Sequence, residues 1–401
     1  MSKQDLRTKS SPSRKTTAES RKEYPKEFVT ASFFGFSPVV HPSIEKHHVF
    51  KIKTIRDPFL SLSTTSYPFG IDLTEKISFL EKYELDRWES LPPPIMVSYK
   101  KPVPGSEYKK TSDTVIGLEI FGLQGSIAEA LLIRSALSIL EDEGKTGLSI
   151  ALNSIGDKES ISDYERMLHA YVRKNGNGMP TELKKIIKES IFMLPTTTQK
   201  EFEKWRLEAP KSMSFLTENS RRHFKEVVEY VESFGVPYEI DTKLLGSPTH
   251  GAHTIFEIRD TEGQVHASGF RYTRLSKKLG LKREVSAICT TVLCGKTDKN
   301  EQGKHIPKPK FYLVQLGFGA KAEALQVIET LRKAKIAIGH SLAKDKLQSQ
   351  ISTAENMKVS HILLIGQKEA LERTVVVRDN ETRAQESVPL DSLVTYLKRL
   401  K

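Results

Sequence analysis

Over residues 295–310 the chain reads GKTDKNEQGKHIPKPK, a polar, charged and proline-bearing run with a single large apolar residue, Ile306. Such a stretch cannot bury enough surface to order itself, so it reads as a linker over 295–309, with a new folded unit starting at residue 310. A chain of 401 residues also exceeds the roughly 250–300 at which single cores stop growing. At least two folded units follow.

Beyond the linker, strand-like and helix-like patterns alternate. FYLVQL, IAIG, HILLIG and TVVVRD have the apolar, β-branched character of strands, while KAEALQVIETLRKA, KLQSQISTAENM and PLDSLVTYLKRL have helical spacing. Leu325, Ile328 and Leu331 fall on one face of the first helix, and Leu347, Ile351 and Ala354 on one face of the second. Alternation at this spacing predicts parallel strand pairs with helices on the sheet faces, an α/β unit over residues 310–401.

Upstream, apolar patterning starts at Phe28 with VTASFFGFSPVVHP and continues to about Cys294. TVIGLEIFG, TIFEIRD, VHASGFRY and VSAICTTVL are strand-like, whereas residues 160–234, with YERMLHAYV, ELKKIIKESI and HFKEVVEYVESFG, are helical almost throughout. A strand-rich core over residues 27–294 with a helical insertion is therefore expected. Residues 1–26 are rich in Ser, Thr, Lys and Arg and poor in apolar residues, which predicts a disordered basic tail.

Hydrophobic residues make up 38% and charged residues 28%, the balance of a soluble globular protein. No apolar run approaches the roughly 20 residues needed to span a bilayer, and the amino terminus has no apolar secretory segment. A cytoplasmic protein without a membrane partner is expected. The two cysteines, Cys289 and Cys294, have no histidine pair at zinc spacing, so neither a disulfide nor a metal site is expected. His47, His48, His250 and His253 lack a carboxylate or thiol at ligand spacing and read as surface or loop residues. GFGAK at 317–321 lacks the length and ending of a phosphate loop. The net charge of +12 suits a polyanionic partner. In YKKP and EYKK, Tyr99, Lys100, Lys101, Tyr108, Lys109 and Lys110 interleave aromatics with lysines, as an RNA-binding hairpin or a solvated one would.

In order and spacing, residues 310–401 resemble the anticodon-binding domain of class II synthetases of the histidyl, glycyl, threonyl and prolyl group. Upstream segments narrow this. GFSPVVHP at 35–42 is similar to the family's first motif, whose proline, here Pro42, closes a strand at a dimer interface. VIGLEIFG at 115–122 is similar to the strand after the second motif, and LNSIGD at 152–157 to the turn entering the helical insertion of bacterial histidyl enzymes. GVPYEIDTKLLG and TIFEI resemble strands framing the histidine pocket. The chain is thus identified as a member of the histidyl-tRNA synthetase family. That membership implies an α+β core of class II synthetase type, an antiparallel sheet with a helical insertion, followed by an α/β anticodon-binding domain.

The resemblance also marks what is missing. Activating an amino acid with ATP requires fixed cations around the phosphates, and the family uses arginines. At its aromatic-Arg-x-Glu pattern this chain has VSYKKP, with Ser98 at the arginine and Lys100 at the glutamate. In the third motif Ser286 and Thr290 stand at glycines and Leu293 at the arginine. GSPTHG, with Gly246, replaces the histidine-specific Arg-Gly-Leu-Asp-Tyr-Tyr segment, Lys243 being the nearest cation. The Gly-Gly-Arg-Tyr-Asp turn becomes GFRYT, with Phe270 at a glycine and Thr273 at the acid. Arg271 matches an arginine the family has, and SYPFG near Pro68 stands where an Arg-Pro-Glu-Gly-Thr segment belongs.

These replacements imply no catalytic residues and no cofactor, and a protein that binds tRNA or structured RNA, as a homodimer, through the terminal domain. Lys321, Arg332, Lys333, Lys344 and Lys346 are the expected RNA-contacting residues. Residues 296–401 are expected to bind on their own. One alternative is an active histidine–tRNA ligase with a remodelled site, which alone would need ATP and magnesium. A second is a protein-binding regulatory subunit of histidine biosynthesis, although such paralogues generally lack the terminal domain kept here.

Overall fold

The computed structural model describes residues 22–55, 57, 72–102, 113–296 and 303–400. The basic segment over residues 1–21, the SYPFG segment and the EYKK lysines lie outside the described residues.

An eight-stranded sheet organises the larger unit: β1 (Ser37–Pro38), β2 (Ile95–Pro102), β3 (Asp113–Phe121), β4 (Ser149–Gly156), β5 (Tyr238–Ile240), β6 (Ala252–Arg259), β7 (Val265–Arg271) and β8 (Ala287–Lys296). Their spatial order is β1-β2-β3-β8-β7-β6-β4-β5, antiparallel except where β1 joins β2 and β4 joins β5. Side chains alternate across the strands, so the sheet has two apolar faces. One, with Ile116, Leu118, Ile120, Leu152, Phe256 and Val292, packs on α1 (Lys26–Phe33), α4 (Ile127–Asp142) and α8 (Glu218–Ser233). Between its ends α4 is buried on every side, from Ile127 to Leu140, as its continuous apolar sequence IAEALLIRSALSIL requires. The other face, with Val97, Tyr99, Ile255, Phe270 and Cys289, packs on α2 (Lys46–Ile55) and α3 (Leu73–Leu85).

The helical insertion lies between β4 and β5. It opens with α5 (Lys158–Asn175), whose cap residue Asp157 accepts from the Ser160 N–H at 2.9 Å. α6 (Thr181–Glu189), α7 (Glu203–Glu208) and α8 follow, and Tyr164, Leu168, Leu183, Phe192 and Phe202 form a separate small core. Between β7 and β8 lies α9 (Thr273–Lys278).

The terminal unit is a five-stranded sheet: β9 (Phe311–Gln315), β10 (Ile338–His340), β11 (His361–Ile365), β12 (Thr374–Asp379) and β13 (Gln385–Pro389), in the order β10-β9-β11-β12-β13. Its first three strands are parallel and the last two antiparallel. Helices α10 (Phe318–Lys333), α11 (Leu347–Asn356), α12 (Gln367–Glu372) and α13 (Leu390–Arg399) flank it. β13 and α12 escaped the sequence reading, because QESVP and QKEALE are short and polar. On α10, Leu325, Ile328 and Leu331 are all fully buried, as expected. On α11 the expected face holds in part: Ala354 is fully buried and Ile351 half-buried, but Leu347 is 39% exposed and Gln350, on the same face, is buried. The Gln350 amide explains this, donating to the Gln315 carbonyl at 2.8 Å while its oxygen accepts from the Gln315 N–H at 3.1 Å. A satisfied amide is needed at the end of β9.

The linker and tail expectations also need correction. Tyr24 and Lys304 exchange backbone hydrogen bonds of 2.9 and 2.8 Å, so the end of the predicted tail is tied to the middle of the predicted linker.

Candidate functional site

Strand alternation decides where the replaced positions point. On β2, Val97, Tyr99 and Lys101 face α3, which places Ser98 and Lys100 on the opposite side of the sheet. Lys100 there reaches Glu27 of α1 at 3.0 Å, and Ser98 is fully buried with no hydrogen-bond partner for its hydroxyl among the described residues. Leu293 is half-buried in the body of β8, opposite Val115. β8 continues as strand through Leu293 to Lys296, consistent with the β-branched run Thr290, Thr291 and Val292. Gly246 is buried in the loop after β5, where an added Cβ would only touch the Ile255 Cδ1 at 3.9 Å, so the backbone does not demand glycine. The structure does not gather Ser98, Lys100, Gly246 and Leu293 into one site. Lys243 is exposed.

The centre of the α3-facing side is filled by the chain itself. Asp72 caps α3 by accepting from the Thr74 N–H at 3.0 Å, and the helix then lays Leu73, Glu75, Lys76, Ile77, Phe79 and Leu80 against the sheet, all buried. The Lys76 ammonium lies 2.5 Å from Glu119 Oε1, 2.7 Å from Glu75 Oε1 and 3.2 Å from the Tyr99 hydroxyl, and none of these side chains is exposed. Tyr272 donates to the other Glu119 oxygen at 2.7 Å, Tyr99 donates to Glu75, and Glu75 also takes His41 and Lys101. Burial opposes the charge on Glu75, but Lys76, His41 and Lys101 outweigh it and hold the carboxyl well below its ordinary range. For Glu119 burial wins over Lys76 and its pKa is raised. Phe270 sits beside this cluster, 3% exposed, its ring 5.8 Å from that of Tyr272. The expected aromatic–lysine hairpin is corrected here too, because Tyr99 and Lys101 are turned inward and Lys100 is paired.

The singled-out histidines divide: His47 is exposed, as expected, whereas His48 and His250 are buried. His250 is wholly buried with Nδ1 2.7 Å from Asp57, which also accepts from Ser247 at 2.5 Å. His47 and His48 converge on Glu81 Oε2 at 2.8 and 2.9 Å. That trio has the makings of a metal site, but its protons are placed otherwise. His48 Nδ1 accepts the Glu45 N–H at 2.8 Å, so the neutral ring carries its proton on Nε2 and donates it to Glu81, whose other oxygen takes Lys51 at 2.5 Å.

In the terminal unit the five expected RNA-contacting residues divide. Arg332 is 8% exposed and forks onto Glu329 at 2.8 Å through both Nε and Nη2, while its Nη1 reaches Asp142 of α4 at 2.6 Å. Its charge is spent on fastening α10 to the larger unit, which removes it from an RNA face. Lys333 is 61% exposed and pairs loosely with Glu141 at 3.2 Å. Lys321 pairs with Asp345 at 2.6 Å, Lys344 donates to Thr353 at 2.9 Å, and Lys346 is exposed.

Residues 310–400 match the family model described as an anticodon binding domain. A histidine–tRNA ligase of Latilactobacillus sakei subsp. sakei is 26% identical over 311 residues, 74% of this chain and 70% of that protein. Another from Bacillus velezensis is 27% identical over 297 residues, 70% and 69% of the two chains. The crystal structure of apo S. aureus histidyl-tRNA synthetase shares the fold with a TM-score of 0.51 and 18% identity, covering 96% of this chain and 99% of that one. The chain belongs to the histidyl-tRNA synthetase family.

Within that family's frame, the fit of this chain to ATP can be judged from its own residues. Phosphates need several cations converging on one open face. Here Ser98 and Lys100 turn away, Leu293 is apolar, and the two lysines on the α3-facing side, Lys76 and Lys101, are bound to Glu75 and Glu119. On the α3-facing side, therefore, the residues present do not fit ATP with its magnesium. Sequence reasoning missed α3, although LTEKISFLEKYEL has apolar residues at helical spacing; nothing in it announced that Lys76 is buried.

Proposed function

We propose that this chain is a histidyl-tRNA synthetase paralogue that does not form histidyl-adenylate and instead binds tRNA or structured RNA as a homodimer. The observation that carries the reading is the occupation of the α3-facing side by Lys76 and its two carboxylates, where any ligand would have to displace a buried, satisfied ion cluster. RNA binding is supported by the anticodon-binding domain at 310–400 and by exposed Lys304, Lys308, Lys310, Lys335 and Lys346 around it. Assembly is supported by Val40, Ile44, Val49 and Phe50, between 44 and 83% exposed, next to the first-motif segment ending at Pro42.

Because the relatives above are histidine–tRNA ligases, an active ligase is the rival reading. Histidine-dependent pyrophosphate exchange on purified protein separates the two. The reading expects background exchange together with RNA binding that weakens steeply with salt. Exchange clearly above background overturns it.

A further inference from the structure

At the far end of β7 from the linker, the sheet borders a cavity of about 600 Å³, walled by the start of α5, the start of β6 and α9. Its size is that of a site for a small molecule rather than for a bulk surface contact.

The charges in its wall are unevenly committed. Arg271 is forked onto Glu129 at 2.9 and 2.7 Å, and Lys277 is paired with Glu284. The other wall carboxylate, Asp157, is consumed as a helix cap, accepting from Ser160 at 2.9 Å and from the Thr217 hydroxyl at 2.6 Å. That leaves three cations. Lys158 and Lys278 have no acidic partner among the described residues, and Arg274 spends only Nη1, on the Pro248 carbonyl at 2.5 Å. Counting every charge in the wall and the Glu129 behind it, the cavity keeps a surplus of two positive charges.

His253 adds a neutral donor. It lines the cavity in a left-handed backbone conformation, φ 53°, and stacks on His223 with ring centroids 4.7 Å apart. Its buried Nδ1 has no hydrogen-bond partner among the described residues. Burial, His223 and Arg271 depress its pKa to about 4, so the ring is neutral at pH 7 and can offer one N–H without adding charge.

A point carboxylate would use only part of this arrangement. A phosphate group carries up to two charges and three acceptor oxygens, which matches two lysines, an uncommitted guanidinium edge and an imidazole N–H. We propose that this cavity binds a small phosphate-bearing metabolite, at a place distinct from the α3-facing side and from the anticodon-binding domain.

The test uses the full chain and calorimetric titration with ribose 5-phosphate, ribose and inorganic pyrophosphate. Both phosphate compounds should bind and ribose should not. Lys158→Gln and Lys278→Gln should each weaken binding about tenfold, the loss of one charge-assisted contact, while Lys188→Gln on the exposed side of α6 leaves it unchanged. Histidine ring resonances should report the same event, with the His253 signal moving on titration in the wild type. Absence of phosphate binding at millimolar concentration, or equal binding by the lysine variants, overturns the proposal. If only a single-stranded RNA oligonucleotide binds less tightly to the lysine variants, the cavity is an RNA backbone contact and the metabolite reading fails. Neither result touches RNA binding by the terminal domain, which is read from Lys344 and Lys346.

Discussion

Substituting Lys76 by methionine isolates the cluster that fills the sheet face. Methionine keeps the unbranched stem and most of the packing, so the change is chiefly electrostatic. Glu75 and Glu119 are then left fully buried without the ammonium at 2.7 and 2.5 Å. Breaking a buried pair by removing one partner costs about 3–5 kcal/mol, and Lys101 and His41 still serve Glu75, so the lower half of that range is expected. The loss should depend on pH. Glu119 already titrates above its ordinary value, and without Lys76 its folded-state pKa rises further above the unfolded one. A raised carboxyl contributes stability that is present below the unfolded value near 4.5 and is lost as pH rises through the folded value. The variant should therefore be closest to wild type in mild acid and furthest from it at neutral pH. Urea unfolding followed by circular dichroism reads this directly, and adding Glu119→Gln to the variant should restore part of the loss. A cost below about 1 kcal/mol at pH 7, against the 3–5 typical of buried pairs, would refute the cluster as a fixed part of the core. So would appearance of histidine-dependent pyrophosphate exchange in the variant, because α3 would then be a displaceable lid over a working site.

Arg332→Ala should destabilise the protein by about 3 kcal/mol in the same assay, since Glu329 stays buried, yet leave RNA affinity within about twofold. Lys344→Gln with Lys346→Gln should do the reverse, weakening RNA binding and flattening its salt dependence by roughly one unit per lost phosphate contact. Glu129 is held near pKa 2 because Arg271 and His223 outweigh its burial, so its contribution is present above about 4.5 and lost as pH falls towards 2; acid unfolding of Glu129→Gln should lack that part of the transition. Phe50→Glu should shift sedimentation towards monomer, and an unchanged monomeric wild type would remove the dimer from the reading.

Much of the architecture was legible because it rests on periodicity. The helical insertion, β3, β6, β8 and the alternating terminal unit all announce themselves through apolar spacing. What stayed hidden depended on partners distant in sequence. Lys76 reads as an exposed lysine until β3 brings Glu119 beneath it, 43 residues along the chain. Arg332 reads as one more cation in LRKAK until α4 supplies Asp142, 190 residues away. Ser98 and Lys100 were assigned by likeness of segment, but only the pairing of Tyr99 with Gly117 and of Lys101 with Val115 reveals which way they point. Gln350 is buried although apolar spacing gave no sign of it, because a strand-end amide needed a partner.

The same long-range contacts decide whether the anticodon-binding domain can be studied by itself. Residues 296–401 look separable in sequence, with a polar run ahead of a complete α/β pattern. In the fold, α10 is shared. One side packs on its own sheet, and the other meets α1, α4 and α8. Across that second side run the Arg332–Asp142 pair at 2.6 Å, the Ser138 hydroxyl on Glu329 at 2.8 Å, Gln326 on the Ser233 carbonyl and Phe318 against the Tyr230 ring at 4.5 Å. Excising the domain would hydrate Glu329 and Arg332 and expose apolar surface now covered by three helices, so the fragment should be markedly less stable than the whole and prone to self-association. RNA binding by the full chain with weak or absent binding by the fragment is therefore the expected pattern, whereas a fragment that melts as high as the intact protein would show that the α10 interface contributes nothing.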